Sequence, residues 1–279
     1  MKRLLAAFAG IVGGLAVAYG LAVGGPVTAP LSDRVEIAAL TWVELRELVR
    51  HGKTTAIVPT GGVEQNGPHM VLGKHNYIVR HTAAAVARRL GDALVAPVVA
   101  YVPEGDIEPP SGHMRFPGTL SVPEPVFEQI LEHAARSLRV HGFRTVLFLG
   151  DSGGNQAAQM RVAERLDAAW RDDGVRVFHV GDYYAPEANG QIRWLERRGE
   201  TRAAIGAHAG IRDTAELLAV RPDGVRMDRA KPDGGYRLRD VGVNGDPSRA
   251  SAGIGRAMID LKVNAAVRQI LSLRNQPLS

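Results

Sequence analysis

The 279-residue sequence contains no cysteine. That excludes disulfides, thiolate metal sites and cysteine nucleophiles together, and leaves any metal to His, Asp, Glu or weaker oxygen donors. Aromatic residues are scarce, at 5%, so the core must be built from Val, Leu, Ile and Ala. A basic stripe is missing too. The net charge is +5, but the arginines are scattered, as in Arg193-Trp194-Leu195-Glu196-Arg197-Arg198, and no aromatics interleave with them as a base-stacking surface requires. No nucleic-acid partner is expected. A chain that is 45% apolar and 23% charged has the makeup of a globule with a sizeable core and no long disordered region.

What is present begins with a leader. Lys2-Arg3 precede an uncharged run that lasts until Asp33, the order of an export signal. Ala16-Val17-Ala18 and Gly20-Leu21-Ala22 fit the small-residue cleavage rule, whereas Pro30 is expected to hinder cleavage after Ala29. An uncleaved anchor is the rival reading, because a bilayer needs only about 20 helical residues. Residues 1–29 are therefore read as export signal or anchor and 30–279 as one domain, placed in the periplasm or secreted, or held at the membrane by its N-terminus.

Within the domain, helical spacing over 40–49, with Thr41 as N-cap, gives way to a short apolar strand, Thr55 to Pro59. Helical spacing returns over 76–90 and closes at Gly91, a natural helix-terminating residue. Leu94 to Val99 reads as a strand. Ser121-Val122-Pro123-Glu124 has the form of a capping box ahead of a helix ending at Gly142. A strand at 145–149, a helix at 156–171, a strand at 175–180 and a C-terminal helix from Arg249 to about Leu273 complete the pattern. Residues 183–206 are ambiguous, with Trp194 and Leu195 placed on a helix. Apolar strands alternating with amphipathic helices predict an α/β fold, three-layer αβα with a mostly parallel sheet. Ligands of such sheets gather beyond the carboxyl ends of the strands, which selects the loops after Val58, Val99 and Leu149.

Two of those loops carry chemistry. Gly150-Asp151-Ser152-Gly153-Gly154 follows a strand and precedes a helix, so it fits a Gly-x-Ser-x-Gly nucleophile elbow by letters and by context. It lacks a clear acid-then-His order downstream, since only His179 and His208 follow. The other loop, Pro59 to His75, packs Glu64, Gln65, Asn66, His69 and His75 among glycines that let backbone approach a ligand. On spacing alone it is equally a polar-ligand or hard-metal site and a structural loop with surface histidines.

At these motifs the sequence resembles the creatininase (creatinine amidohydrolase) family, from about Leu40 to Leu271. Residues 61–75 are close to Gly-Ser-x-Glu-Gln-His-Gly-Pro-His-Leu-Pro-Leu-Gly-Thr-Asp. Ser111 to Leu120 matches a His-x-x-Phe-Pro-Gly-Thr segment, and Gly150 to Asn155 matches Asn-Gly-His-Gly-Gly-Asn. His208 to Thr214 matches His-Ala-Gly-x-x-Glu-Thr, and Gly242 to Pro247 matches Gly-Val-x-Gly-Asp-Pro.

The resemblance implies a metal-dependent amidohydrolase, usually with a two-metal Zn or Mn centre and often hexameric, acting on cyclic amides, formamides or short peptides. It also exposes departures. Asn66 and Ser152 stand where ligating histidines are expected, and His75 stands where a metal-bridging Asp is expected. A neutral imidazole offers one lone pair where a carboxylate can bridge two cations. The resemblance then leaves Glu64, His75 and Asp213, with Asp151 as a further carboxylate, to hold one divalent Zn or Mn ion. His208, with Glu64, is assigned the catalytic proton chemistry. Asn66, His69, His113, Ser152, Gly153 and Gly154 are assigned to the substrate, the two glycines through backbone N–H groups facing the oxyanion. The expected function is hydrolysis of an amide C–N bond in a small molecule by a zinc-binding homo-oligomer. The alternative is a non-catalytic binding protein of the same fold, without metal.

Overall fold

The computed structural model describes residues 30–231 and 238–275. The leader therefore lies outside the described residues. Four strands, β1 (Thr55–Thr60), β2 (Ala93–Val95), β3 (Thr145–Gly150) and β4 (Arg176–His179), form one parallel sheet in the order β2-β1-β3-β4. The helices are α1 (Trp42–Arg50), α2 (Lys74–Leu90), α3 (Glu124–Val140), α4 (Gln156–Trp170), α5 (Gln191–Glu196), α6 (Arg202–Ile205), α7 (Ile211–Val220), α8 (Leu238–Val241) and α9 (Ala252–Arg274).

The period-2 pleat sorts β3 between two cores. Leu147 and Leu149 join Ile57 against Val79, Ala83 and Val86 of α2 and Ile259, Val263 and Ile270 of α9. Val146 and Phe148 join Val58 against Phe127 and Leu131 of α3 and Val162 and Leu166 of α4. This is the three-layer α/β arrangement that the pattern predicted. Because β2 and β3 flank β1 on opposite sides, the chain leaves β1 and β3 in opposite directions and opens a crevice at their carboxyl ends.

Local outcomes follow the chemistry of single residues. Thr41 and Glu44 close a reciprocal capping box at α1. The box expected at Ser121 does not form: α3 starts at Glu124 after Pro123, and the Ser121 hydroxyl instead binds Glu104 N–H (3.0 Å) and the Gly105 carbonyl (2.7 Å). The second strand stops at Val95, two residues before Pro97, which has no N–H for a ladder; Val99 returns only for a single bridge to Thr60. α9 begins at Ala252, capped by Ser251, slightly later than expected. Trp194 and Leu195 do lie on a helix, α5.

One close approach sets the depth of the site. A Cβ on Gly255 of α9 would sit 1.8 Å from the Ala215 carbonyl of α7. The missing side chain lets the two helices touch, and two turns on, Lys262 of α9 meets Glu216 of α7.

Candidate functional site

The loop after β1 is pinned from three sides. Asn76 accepts from Gly62 N–H and donates to the Gly62 carbonyl, each at 3.0 Å. Asn155 donates to Thr60 Oγ1 (2.9 Å) and the Gly61 carbonyl (2.8 Å), tying the loop after β3 to the loop after β1. Asn66, fully buried, donates to the Glu64 carbonyl (2.9 Å) and the Leu72 carbonyl (3.3 Å), so it braces the loop. Gly62 has φ of +156°, and a Cβ there would lie 2.2 Å from Glu104 Oε1. That space brings Glu104 into the crevice.

Deep in the crevice His75 bridges two carboxylates: Nε2 lies 2.7 Å from Glu64 Oε1 and Nδ1 3.0 Å from Asp151 Oδ2. Burial and the Lys74 charge oppose a second proton on His75, but Glu64 and Asp151 outweigh them and raise its pKa. As an imidazolium it donates to both carboxylates. Asp151 also accepts from Lys262 Nζ (2.6 Å) and Tyr183 Oη (2.7 Å), and Lys262 reaches Glu216 at 2.9 Å. Although burial favours the neutral acid, Lys262 and His75 hold the Asp151 pKa down at about 2.

Nearer the surface lie Glu64, His113 and His208. Among the described residues, they are the group of His, Asp and Glu whose ligand atoms all fall within 4.8 Å of one another. His113 Nε2 is 3.3 Å from Glu64 Oε2, His208 Nδ1 is 3.9 Å from Glu64 Oε1, and the two rings stand 4.6 Å apart between centroids. Burial, reinforced by Lys74, lowers the pKa of both imidazoles, that of His208 to about 4, so both are neutral near pH 7. Burial alone would keep Glu64 protonated, yet His75 and Lys74 hold it well below the usual carboxylate range.

Gln65 orients both rings. Its Nε2 is 2.9 Å from His113 Nδ1 and 3.0 Å from His208 Nε2, while its Oε1 accepts from Gly67 N–H at 3.0 Å. His208 Nε2 also faces the Gln65 backbone carbonyl at 3.0 Å. Turning the amide over, at the cost of the Gly67 bond, would let its oxygen accept from both imidazole N–H groups and leave His113 Nε2 and His208 Nδ1 as lone-pair donors beside Glu64. Two neutral imidazoles and a carboxylate with an open position match the ligand number of a catalytic Zn²⁺ site.

The sequence-derived set divides accordingly. Glu64 is in the cluster, and His113, expected to face substrate, joins it as a donor, as does His208, expected to move protons. Both nitrogens of His75 face carboxylates, and Asp151 is taken up by three donors. Asp213 accepts from Ala209 N–H (2.7 Å) and pairs with Lys74 Nζ (3.2 Å). Burial raises the proton affinity of Asp213, but Lys74 and Arg212 depress it far below the usual range. His69, buried, binds Thr214 Oγ1 at 2.9 Å and so braces α7; burial lowers its pKa to about 4. Ser152 is buried against Glu104, and no histidine among the described residues hydrogen-bonds it, so the elbow reading lacks its general base. Gly153 and Gly154 are exposed at the turn into α4.

Three functional candidates were missed in the sequence. Lys74 is 1% exposed, and its Nζ has no hydrogen-bond acceptor. Its signal was the Lys74-His75 pair standing where the resembled motif has Thr-Asp. Glu104 is buried, and that burial together with the Glu64 charge pushes its pKa up to about 10, so it carries a proton. No local pattern marked it. Gln65 lies inside the quoted motif, but only its contacts reveal its grip on two histidines.

The family model for creatininase, described as creatinine amidohydrolase, matches residues 38–270. A mycofactocin precursor peptide peptidase of Mycolicibacterium smegmatis is 29% identical over 238 residues, covering 77% of this chain and 83% of that protein. Creatinine amidohydrolase of Pseudomonas putida is 29% identical over 207 residues, 71% and 76% of the two chains. Among solved structures, a creatininase described with Mn superposes with a TM-score of 0.70 at 25% identity, over 87% of this chain and 100% of that one. A creatininase mutant of Zn-Zn type gives 0.64 at 25% identity, over 87% and 99%.

Proposed function

The chain belongs to the creatininase (creatinine amidohydrolase) family, and from that premise we propose that it hydrolyses an amide C–N bond in a small cyclic amide, formamide or short peptide, with one bound divalent ion, Zn or Mn. The observation that carries the reading is the convergence of Glu64, neutral His113 and neutral His208 at the carboxyl end of β1. A divalent ion held by these three would supply Lewis acidity and a water of lowered pKa.

The chain's own groups supply the rest. Lys74 Nζ, buried and without an acceptor, offers an N–H to the oxyanion that develops as the amide carbonyl is attacked. Gly153 and Gly154 offer backbone N–H groups at the neighbouring turn. Glu104, protonated and lying between Glu64 and Ser152, has a proton affinity near that of an amine and can deliver its proton to the leaving nitrogen. Gln65 holds the two imidazoles in register.

The test is amine release from a panel of cyclic amides, formamides and short peptides by metal-reconstituted protein. Turnover that a chelator abolishes and Zn or Mn restores supports the proposal. Ligand binding without turnover assigns the non-catalytic alternative, which the saturated His75-Asp151-Lys262 network favours.

Assembly as a homo-oligomer, a hexamer by resemblance, belongs to the same proposal; exposed Trp42, Tyr101 and Val140 are apolar surface for such contacts, and light scattering gives the mass. Export directed by residues 1–29 is proposed on the Lys2-Arg3 and apolar pattern, and N-terminal sequencing of the mature protein tests it.

A further inference from the structure

Lys74 is the first residue of α2, where the helix dipole already presents positive potential, so nothing in helix stability favours a cation there. Burying an ammonium is costly unless partners compensate it. Here the nearest carboxylate oxygen is Asp213 Oδ2, at 3.2 Å, and the ammonium makes no hydrogen bond. It adjoins His75 in the chain, and its charge bears on Glu64, His113 and His208 across the crevice.

The charges around it are already matched. The carboxylates Glu64, Asp151, Asp213 and Glu216 face Lys74, His75 and Lys262, with Arg212 behind Asp213. A second divalent ion would need carboxylate oxygens that these cations hold, and would sit beside an ammonium in a medium where like charges repel strongly.

We infer that the Lys74 ammonium is a resident cation of the site, tethered to the fold in the space a second metal ion would need, so that the crevice accepts at most one divalent ion beside Glu64, His113 and His208. The inference rests on the one-ion reading proposed above. It makes Lys74 the fixed half of a mixed centre, one charge supplied by solution and one by the chain.

Metal uptake is the readout. Full-length wild type, Lys74→Met and Lys74→Thr are equilibrated with Zn²⁺ or Mn²⁺, freed of unbound ion by gel filtration and analysed for metal per chain. Removing the ammonium releases Asp213, its ion-pair partner, as a donor, and the variants are expected to retain about one ion per chain more than wild type, with a larger rise of Tm on adding metal. Equal metal content in wild type and both variants overturns the inference. A metal-free wild type beside metal-binding variants removes the one-ion reading and still supports the lysine as the resident cation. Should neither variant fold, calorimetric titration of wild type decides: saturation at two ions overturns the inference, and saturation below two supports it.

Discussion

The inner and outer halves of the crevice are built from the same residue types and differ in how completely they are satisfied. Inside, His75, Asp151, Lys262, Glu216, Tyr183 and Gln191 are chained by bonds of 2.6–3.0 Å. Outside, Lys74 Nζ and Glu104 Oε1 are buried without hydrogen-bond partners. A closed buried network rigidifies a fold, whereas unmatched buried polar atoms call for an explanation, a ligand among them. The comparison assigns structure to the inner half and chemistry to the outer half.

The sharpest way to break this division is to damage each half and ask which property falls. Glu64→Gln should lower kcat/KM for an amide substrate by about a thousandfold or more, roughly 4 kcal/mol of barrier, while leaving the urea midpoint much less changed than an inner-half mutation does. Lys262→Met removes the ammonium that buried Asp151 and Glu216 share, leaving Glu216 with only the neutral Gln191 amide, and should cost about 3–5 kcal/mol of stability by urea denaturation. If Glu64→Gln unfolded the chain and Lys262→Met only slowed it, the assignment would be reversed.

Metal affinity gives the next effect. Gln65→Leu removes the group that faces both imidazoles and should weaken Zn²⁺ binding by about 10- to 100-fold with little loss of fold, read by competition with a chelating dye.

The smallest effects are in pH. Asp151 has a depressed pKa, so its stabilisation is present above the ordinary value of 3.8 and is lost as pH falls toward about 2. Glu104 works the other way. Its pKa is raised from 4.5 to about 10, so folding requires it to take up a proton at neutral pH, and stability falls as pH rises through that window. Glu104→Gln should therefore melt higher than wild type, by a margin that widens between those two values; a margin independent of pH would show that Glu104 is ionised in the folded chain.

Much of this was legible along the sequence. Apolar runs such as Thr145 to Leu149 and capping signals such as Thr41 with Glu44 are local, and they gave the layers, the parallel sheet and the loops beyond β1 and β3. Glu64, His113 and His208 each stood in a recognisable motif. Their grouping did not, because His113 and His208 reach Glu64 across 49 and 144 positions of chain. Asp213 read as a ligand because a carboxylate in that motif place can be one. Only the packing shows that a helix N-terminus and Lys74 have claimed it. The capping box at Ser121 failed for a similar reason: its hydroxyl found Glu104 and Gly105, partners that spacing cannot display.

By itself the sequence determined the class of fold, the edge of the sheet where ligands gather and the absence of thiol chemistry, since strand and helix periods, turn residues and the lack of cysteine are properties of short segments. The tertiary structure decided which donors meet, which carboxylates are already paired, and that a buried lysine stands against Asp213. Those outcomes depend on distances between remote residues and on burial, which sets the protonation of His75, His208 and Glu104, and neither is written in any local stretch of chain.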